Sequence, residues 1–277
     1  MPELPEVETV ARGLRTLIVG RTIVEAKLLG AKLKLQNPRK FAWVVRGKVV
    51  TDVTRRGKHL FVQLNDNWTL WCHLRMTGRF VERSVNDALD KHDHARFVFC
   101  GDDEAPDIAL VFRDVRKFGH LRLVRTDEIQ SLPEIAALGP EPLTISKQDF
   151  VALFAGRKRI IKPALLDQHI LAGLGNIYAD EALFAAGIHP QTRCCDTTTE
   201  QLLVLRKVII KILKQAISRM GTTFDSYSGV NGEPGKFQTY LQVYGREGEP
   251  CYKCGSPIIR EVIAQRSAHY CERCQQL

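Results

Sequence analysis

At 277 residues the chain is long enough for about two domains, each with its own core. Lys and Arg number 40 against 31 Asp and Glu, a net charge of +9 that favours a polyanionic partner, nucleic acid first. No apolar run approaches the ~18 residues that span a bilayer, and the acidic start is unlike a secretory leader. A membrane partner is thus excluded and a cytoplasmic monomer expected.

The first six residues, Met1-Pro2-Glu3-Leu4-Pro5-Glu6, pose a chemical question. Pro2 is a small second residue, so removal of Met1 is expected and leaves a secondary amine as the new terminus. An α-amine titrates near ~8, far below a lysine side chain, so part of it is unprotonated at neutral pH and can act as a nucleophile. Glu3 beside it and Glu6 one turn on supply carboxylates where an acid or base is needed. The same stretch also reads as an ordinary helix start, with proline and acids in the first turn. Val7, Val10, Ala11, Leu14 and Leu17 then recur at helical spacing, and Gly20 ends the helix.

Short β-rich runs follow, at Thr22 to Leu29, Phe41 to Arg46, Lys48 to Thr54, His59 to Leu64, Thr69 to Leu74, Arg96 to Cys100, Ile108 to Phe112 and His120 to Val124. Many short strands separated by turn residues predict a β-sandwich with one leading helix, over residues 2–130. The acidic stretch 101–107 reads as a surface loop between strands. Pro133, Gly139, Pro140 and Pro142 mark a linker over 131–145. A helical domain is expected over 146–235, with starts at Ser146, Asn176 and Thr197 and stops at Gly187 and Gly221. A Gly- and Ser-rich loop is expected over 222–236, and a separate module over 242–277. The fold class is therefore α+β multidomain.

Cys251-x2-Cys254 and Cys271-x2-Cys274, sixteen residues apart, can give four thiolates to one tetrahedral Zn2+. Four cysteines fill the coordination shell, so the metal is structural. The residues between them read as a hairpin presenting Arg266. Cys72 and Cys100 lie in apolar runs as inert thiols, no role falls to Cys194-Cys195, and a reducing compartment argues against disulfides.

Gly173-Leu174-Gly175-Asn176 precedes a helix, as a turn and cap do and as a phosphate site does. With Arg157, Lys158, Arg159 and Lys162 upstream it forms a candidate clamp on a DNA backbone. Arg55-Arg56-Gly57-Lys58-His59 reads from composition as a solvated basic turn. In His73-Leu74-Arg75-Met76-Thr77-Gly78 and Asp114-Val115-Arg116-Lys117-Phe118-Gly119, Met76 and Phe118 fit either core residues at turn edges or apolar wedges that fill the gap left by an extruded base.

Pro2-Glu3-Leu4-Pro5-Glu6-Val7-Glu8-Thr9 resembles the amino terminus of the formamidopyrimidine-DNA glycosylases, and the likeness runs through both loop motifs and the helix-two-turn-helix strings to Cys274. The resemblance implies a base-excision repair glycosylase and AP lyase for oxidised purines, formamidopyrimidines and 8-oxoguanine, in double-stranded DNA. It implies Pro2 as Schiff-base nucleophile, Glu3 as acid, and Lys58 and Arg266 as donors in β,δ-elimination. It further implies DNA contacts by His92 and Asn176 and a duplex-filling set of Met76, Arg116 and Phe118. An endonuclease VIII-type relative for oxidised pyrimidines fits less well, because of the intact terminus and wedge set. A zinc-finger DNA-binding protein without catalysis leaves the acidic proline terminus without a purpose.

Overall fold

The computed structural model describes residues 1–29, 38–100, 107–223 and 229–277. Parts of the expected acidic loop (101–106) and of the Gly- and Ser-rich loop (224–228) lie outside the described residues. The chain divides into two compact units, Met1–Ala136 with Arg219–Lys236, and Ala137–Ser218 with Phe237–Leu277. The stretch 219–236, placed by sequence with the helical domain, therefore packs with the first unit. Its Val230 shows why: the side chain joins the first unit's core and its carbonyl accepts from Glu82 N at 3.1 Å.

In chain order the first unit holds α1 (Leu4–Ile18), β1 (Thr22–Leu28), α2 (Pro38–Val45), β2 (Val50–Arg56), β3 (His59–Leu64), β4 (Trp68–His73), β5 (Gly78–Arg83), β6 (Asp93–Cys100), β7 (Ile108–Asp114), β8 (His120–Arg125) and the short α3 (Pro133–Ala136). Two antiparallel four-stranded sheets form, in the orders β1-β6-β7-β5 and β2-β3-β4-β8. Alternate residues of both sheets, among them Leu60, Val62, Cys72, Phe97, Phe99, Leu110, Phe112 and Leu121, share one core with Val7, Val10 and Leu14 of α1. A fully buried Leu or Phe of this kind is worth ~1.5–3 kcal/mol.

Of Phe41 to Arg46, read as a strand, Phe41 to Val45 are helical instead and Arg46 follows in a turn. Phe41, Val44 and Val45 are buried together at helical spacing, and this tertiary burial outweighs the β preference of an aromatic and β-branched run. β5 was not anticipated, because Gly78 and the charged Arg79, Glu82 and Arg83 broke its pattern.

The second unit holds α4 (Lys147–Phe154), α5 (Ile161–Leu166), α6 (Asn176–Ala186), α7 (Thr199–Ser218), β9 (Ile259–Ile263) and β10 (Arg266–Tyr270). Ser146 Oγ accepts from Asp149 N at 3.0 Å, capping α4, and Gly187 ends α6 in the left-handed region at φ 69°. The cap of α7 is one residue later than expected: Thr198 and Gln201 exchange the two capping bonds, at 2.8 and 3.2 Å. Among the described residues no helix is long and apolar enough to cross a membrane.

Candidate active site and nucleic-acid interface

In the first unit the site begins at α1. Pro2 is buried behind an exposed Met1, and Glu3 and Glu6 are only 3% and 2% exposed. Burying a carboxylate requires donors. Glu6 takes its own from two places: Oε2 accepts from Glu3 N and Oε1 from Thr222 N, both at 2.8 Å. Glu6 thus ties the chain start to the 219–236 stretch rather than standing ready as an acid. The close approach needs Gly221, whose φ is +77° and where a Cβ would fall 2.6 Å from Glu6 Oε1.

Lys58 sits in the turn between β2 and β3, and α1 packs on both strands. The turn is not solvated, since Lys58 is 5% exposed. A chain of contacts places it against the helix. Glu8 Oε2 accepts from Arg55 Nε at 3.1 Å, and Arg55 Nη1 donates to Gly57 O at 2.9 Å. Burial pushes the Glu8 carboxyl up, but hydrogen bonds and charge from Arg12 and Arg55 outweigh it and leave the group below its ordinary value.

Two loops at strand ends carry the apolar residues singled out above. Met76 follows β4 and is 41% exposed, and Phe118 follows β7 and is 54% exposed. Neither is a core residue. The Arg116 guanidinium lies over the Phe118 ring, 4.9 Å from its centroid. His92 is half-buried just ahead of β6, where Asp93 is clamped by Arg83 at 3.2 Å and Arg113 at 3.4 Å.

In the second unit the structure brings Asn176 and the Arg266 hairpin together. Asn176 Nδ2 donates to Ser267 O at 2.9 Å, so the residue after Arg266 is fastened to the first turn of α6. Ala264 and Gln265 form the tight turn at φ 46° and 65°, and Arg266 is exposed directly after it. Arg157 and Lys158 are exposed between α4 and α5, but Arg159 pairs with Asp167 at 2.6 Å.

Lys162, expected beside phosphate, is fully buried. Its Nζ lies 2.5 Å from both Asp180 Oδ1 and Ser267 O, and Asp180 Oδ2 accepts from His269 N at 2.9 Å. Sequence reasoning missed this network. The available signal was Asp180 one helical turn after Asn176, on the same face.

The four finger thiols lie within 4.8 Å of one another, with Cys251 and Cys274 sulfurs 3.9 Å apart and Cys254 and Cys271 sulfurs 3.4 Å apart. A tetrahedral Zn2+ at ~2.3 Å from each sulfur needs edges of ~3.8 Å, so the set fits. Hydrogen bonds from Ser256 pull the Cys254 thiol down to about 6, while burial holds Cys271 above its ordinary value. Four thiolates this close require a dication to offset their repulsion. Two of the remaining cysteines are held as thiols: burial raises Cys72, and raises Cys194 to about 11.

Fold and site together define a two-unit α+β protein with a structural zinc finger, a buried Pro2 beside buried carboxylates, and exposed basic residues at Arg157, Lys158 and Arg266. Three family models match in sequence: the formamidopyrimidine-DNA glycosylase N-terminal domain over residues 1–121, its H2TH domain over 138–228, and the zinc finger found in FPG and IleRS over 248–277. The chain belongs to the formamidopyrimidine-DNA glycosylase family. It is 42% identical over 280 residues to the formamidopyrimidine-DNA glycosylase of Halalkalibacterium halodurans, covering 100% of each chain. That of Desulfitobacterium hafniense is 44% identical over 280 residues, covering 99% of this chain and 100% of the relative. A point mutant of the Lactococcus lactis FPG in complex with Fapy-dG-containing DNA superposes with a TM-score of 0.92 at 36% identity, covering 100% of both chains. The Lactococcus lactis Fpg complex with abasic-site DNA gives 0.91 at 36% identity, over 99% of this chain and 100% of the other.

Proposed function

We propose that this chain is a base-excision repair DNA glycosylase and AP lyase that acts on formamidopyrimidine and 8-oxoguanine lesions in duplex DNA, by way of the Pro2 amine. The observation that carries the reading is the buried Pro2-Glu3 start, locked by Glu6 next to the turn that bears Lys58. Removal of Met1 frees the Pro2 nitrogen. The amine attacks C1′ as the bond to the damaged base breaks, Glu3 protonates the opening sugar oxygen, and the base departs with the bonding electrons. The resulting iminium is an electron sink that acidifies the C2′ proton. Loss of that proton expels the 3′ phosphate, and a second elimination expels the 5′ phosphate, with Lys58 and Arg266 as proton donors.

Recognition divides between the units. Asn176, Arg157, Lys158 and Arg266 hold phosphates, which fixes register without reading bases. His92 adds a contact in the first unit, and Met76, Arg116 and Phe118 fill the void left by the extruded nucleotide. Cys251, Cys254, Cys271 and Cys274 hold Zn2+, which supplies rigidity to the hairpin and takes no part in bond breaking. The setting is the cytoplasm, at the nucleoid, where a charge of +9 favours scanning of chromosomal DNA.

The test is borohydride reduction during turnover on a duplex with 8-oxoguanine opposite cytosine, followed by mass mapping. An adduct on Pro2 is the expected result. Tight binding by a Met1-free chain with no adduct would overturn the amine mechanism.

A further inference from the structure

Both wedge loops run through strained backbone. Arg75 and Lys117, neither of them glycine, sit in the left-handed region at φ 54° and 58°. Conformations of this kind are held only when the surroundings over-determine them. One residue provides most of that hold. Asp114, the last residue of β7, is 0% exposed, and among the described residues no cationic side chain pairs with it. Its Oδ1 accepts from the Thr77 hydroxyl and from Arg116 N, the latter at 3.1 Å, and its Oδ2 accepts from Gly119 N at 2.7 Å. The bonds to Arg116 and Gly119 bracket Lys117, and the bond to Thr77 reaches the residue beside Met76. Thr77 Oγ1 also accepts from Arg116 N at 3.1 Å, closing a ring across the two loops.

The backbone of Asp114 reaches the third loop. Asp114 N donates to His92 O at 3.0 Å, and Asp114 O lies 2.7 Å from His94 Nε2. Gly119 has no room for a side chain here, since a Cβ would meet Phe112 Cζ at 2.8 Å and Asp114 Oδ2 at 3.1 Å. His73 completes the frame, with Nδ1 accepting from Arg75 N at 3.0 Å.

We propose that Asp114 is the positioning residue for base extrusion, holding Met76, Arg116 and Phe118 in their inserting shape before DNA arrives. The inference rests on the wedge reading of those three residues. A loop ordered in advance does not lose that freedom at the moment of insertion, so the wedge enters at less entropic expense. Asp114 touches neither sugar nor base and has no part in the bond-breaking steps. Its influence falls on the step that displaces a stacked base, and not on elimination at a site where the base is already missing.

The experiment compares Asp114→Asn with the wild-type chain in single-turnover cleavage of two duplexes, one with 8-oxoguanine opposite cytosine and one with an abasic site. The amide retains size but turns a donor toward N–H groups that need an acceptor. Lesion cleavage should slow by about tenfold or more, the scale of one buried group left unpaired, with abasic-site cleavage within about twofold. Equal slowing on both duplexes, or on neither, would overturn the proposal. Met76→Ala and Phe118→Ala run in parallel. If they leave the ratio of the two rates unchanged, the wedge reading itself fails; if they shift it and Asp114→Asn does not, only the positioning role fails. Should Asp114→Asn not fold, Thr77→Val removes one of the three bonds to the Asp114 side chain together with the bond from Arg116 N to the Thr77 hydroxyl, and the same shift in ratio at smaller size, about threefold, decides the matter.

Discussion

In the first unit the two wedge loops and the chain start are held by carboxylates that gather neutral donors: Asp114 takes Thr77, Arg116 and Gly119, and Glu6 takes Glu3 and Thr222. In the second unit the hairpin is held by buried charge: Lys162 against Asp180, and four thiols gathered for one dication. The two devices fail differently. A hydrogen bond to a backbone N–H can be weakened one partner at a time, whereas removing one member of a buried ion set leaves the others unpaired in a medium of low polarity. The second unit should therefore be the brittle one.

Zinc removal should break the comparison most strongly. Structural zinc contributes about 10–16 kcal/mol in finger peptides, so a strong chelator or Cys251→Ser should unfold β9 and β10. Calorimetry is expected to show the first unit's transition in place while the second unit's moves down and one zinc per chain is released. DNA affinity should fall with it, because Arg266 and the Ser267 contact to Asn176 lose their frame. Undiminished affinity in a zinc-free chain would remove the finger from the phosphate clamp.

Next in size is Asp180→Asn. With Lys162 buried and its partner charge gone, the second unit should lose ~3–5 kcal/mol, read as a lower urea midpoint. Adding Lys162→Met should restore most of that stability while leaving DNA binding weak, since Ser267 O then keeps Asn176 but not Lys162. If affinity returned together with stability, the pair would be a packing element and not a register device.

What the sequence disclosed follows the same division. The finger was legible because a metal site imposes fixed spacing on residues near one another in the chain, and Cys251 to Cys274 carried both ligand number and hairpin. The alternating strands and the caps at Ser146 and Gly187 were legible for the same local reason. Phe41 to Arg46 was misread because composition does not say which face a short apolar run will bury. The carboxylate staples were not legible as such. Asp114 and Glu6 stood in quoted motifs, yet the bonds from Glu6 to Thr222 and from Lys162 to Ser267 span 216 and 105 residues, and no pattern in a single chain links such positions. Lys162 shows the reverse error, for a basic residue in a basic run was read as phosphate-facing although it is buried.

The smallest effect should appear on acidification and concerns the one neutral cluster in this contrast. His59, His73 and His120 stand side by side on β3, β4 and β8, paired across the sheet. His59 Nδ1 accepts from the Trp71 indole N–H, and His73 Nδ1 from Arg75 N, both at 3.0 Å, so protonating either nitrogen breaks a bond that the fold uses. Burial first, then the charges of neighbouring histidines and Arg75, with Arg56 and Lys58 adding, push His59 down to about 4 and His73 down to about 2; Glu134 alone opposes at His59. A folded value below the unfolded ~6.5 means the unfolded chain binds protons first. Stability from these rings is therefore intact above pH ~6.5 and is lost as the pH falls from there, through about 4 for His59 and on toward about 2 for His73. At pH ~5.5 each contributes a loss of about 1.4 kcal/mol. His59→Gln keeps an acceptor for the indole but cannot titrate, so its urea midpoint plotted against pH should fall less steeply below pH ~6.5, by about one proton. Parallel curves for the two proteins would mean that His59 is protonated in the folded chain and that acid unfolding starts elsewhere. A shallower curve would show the first unit losing its hold on the Trp71 indole through proton uptake by a neutral ring, a third mode of failure beside the lost donor and the orphaned charge.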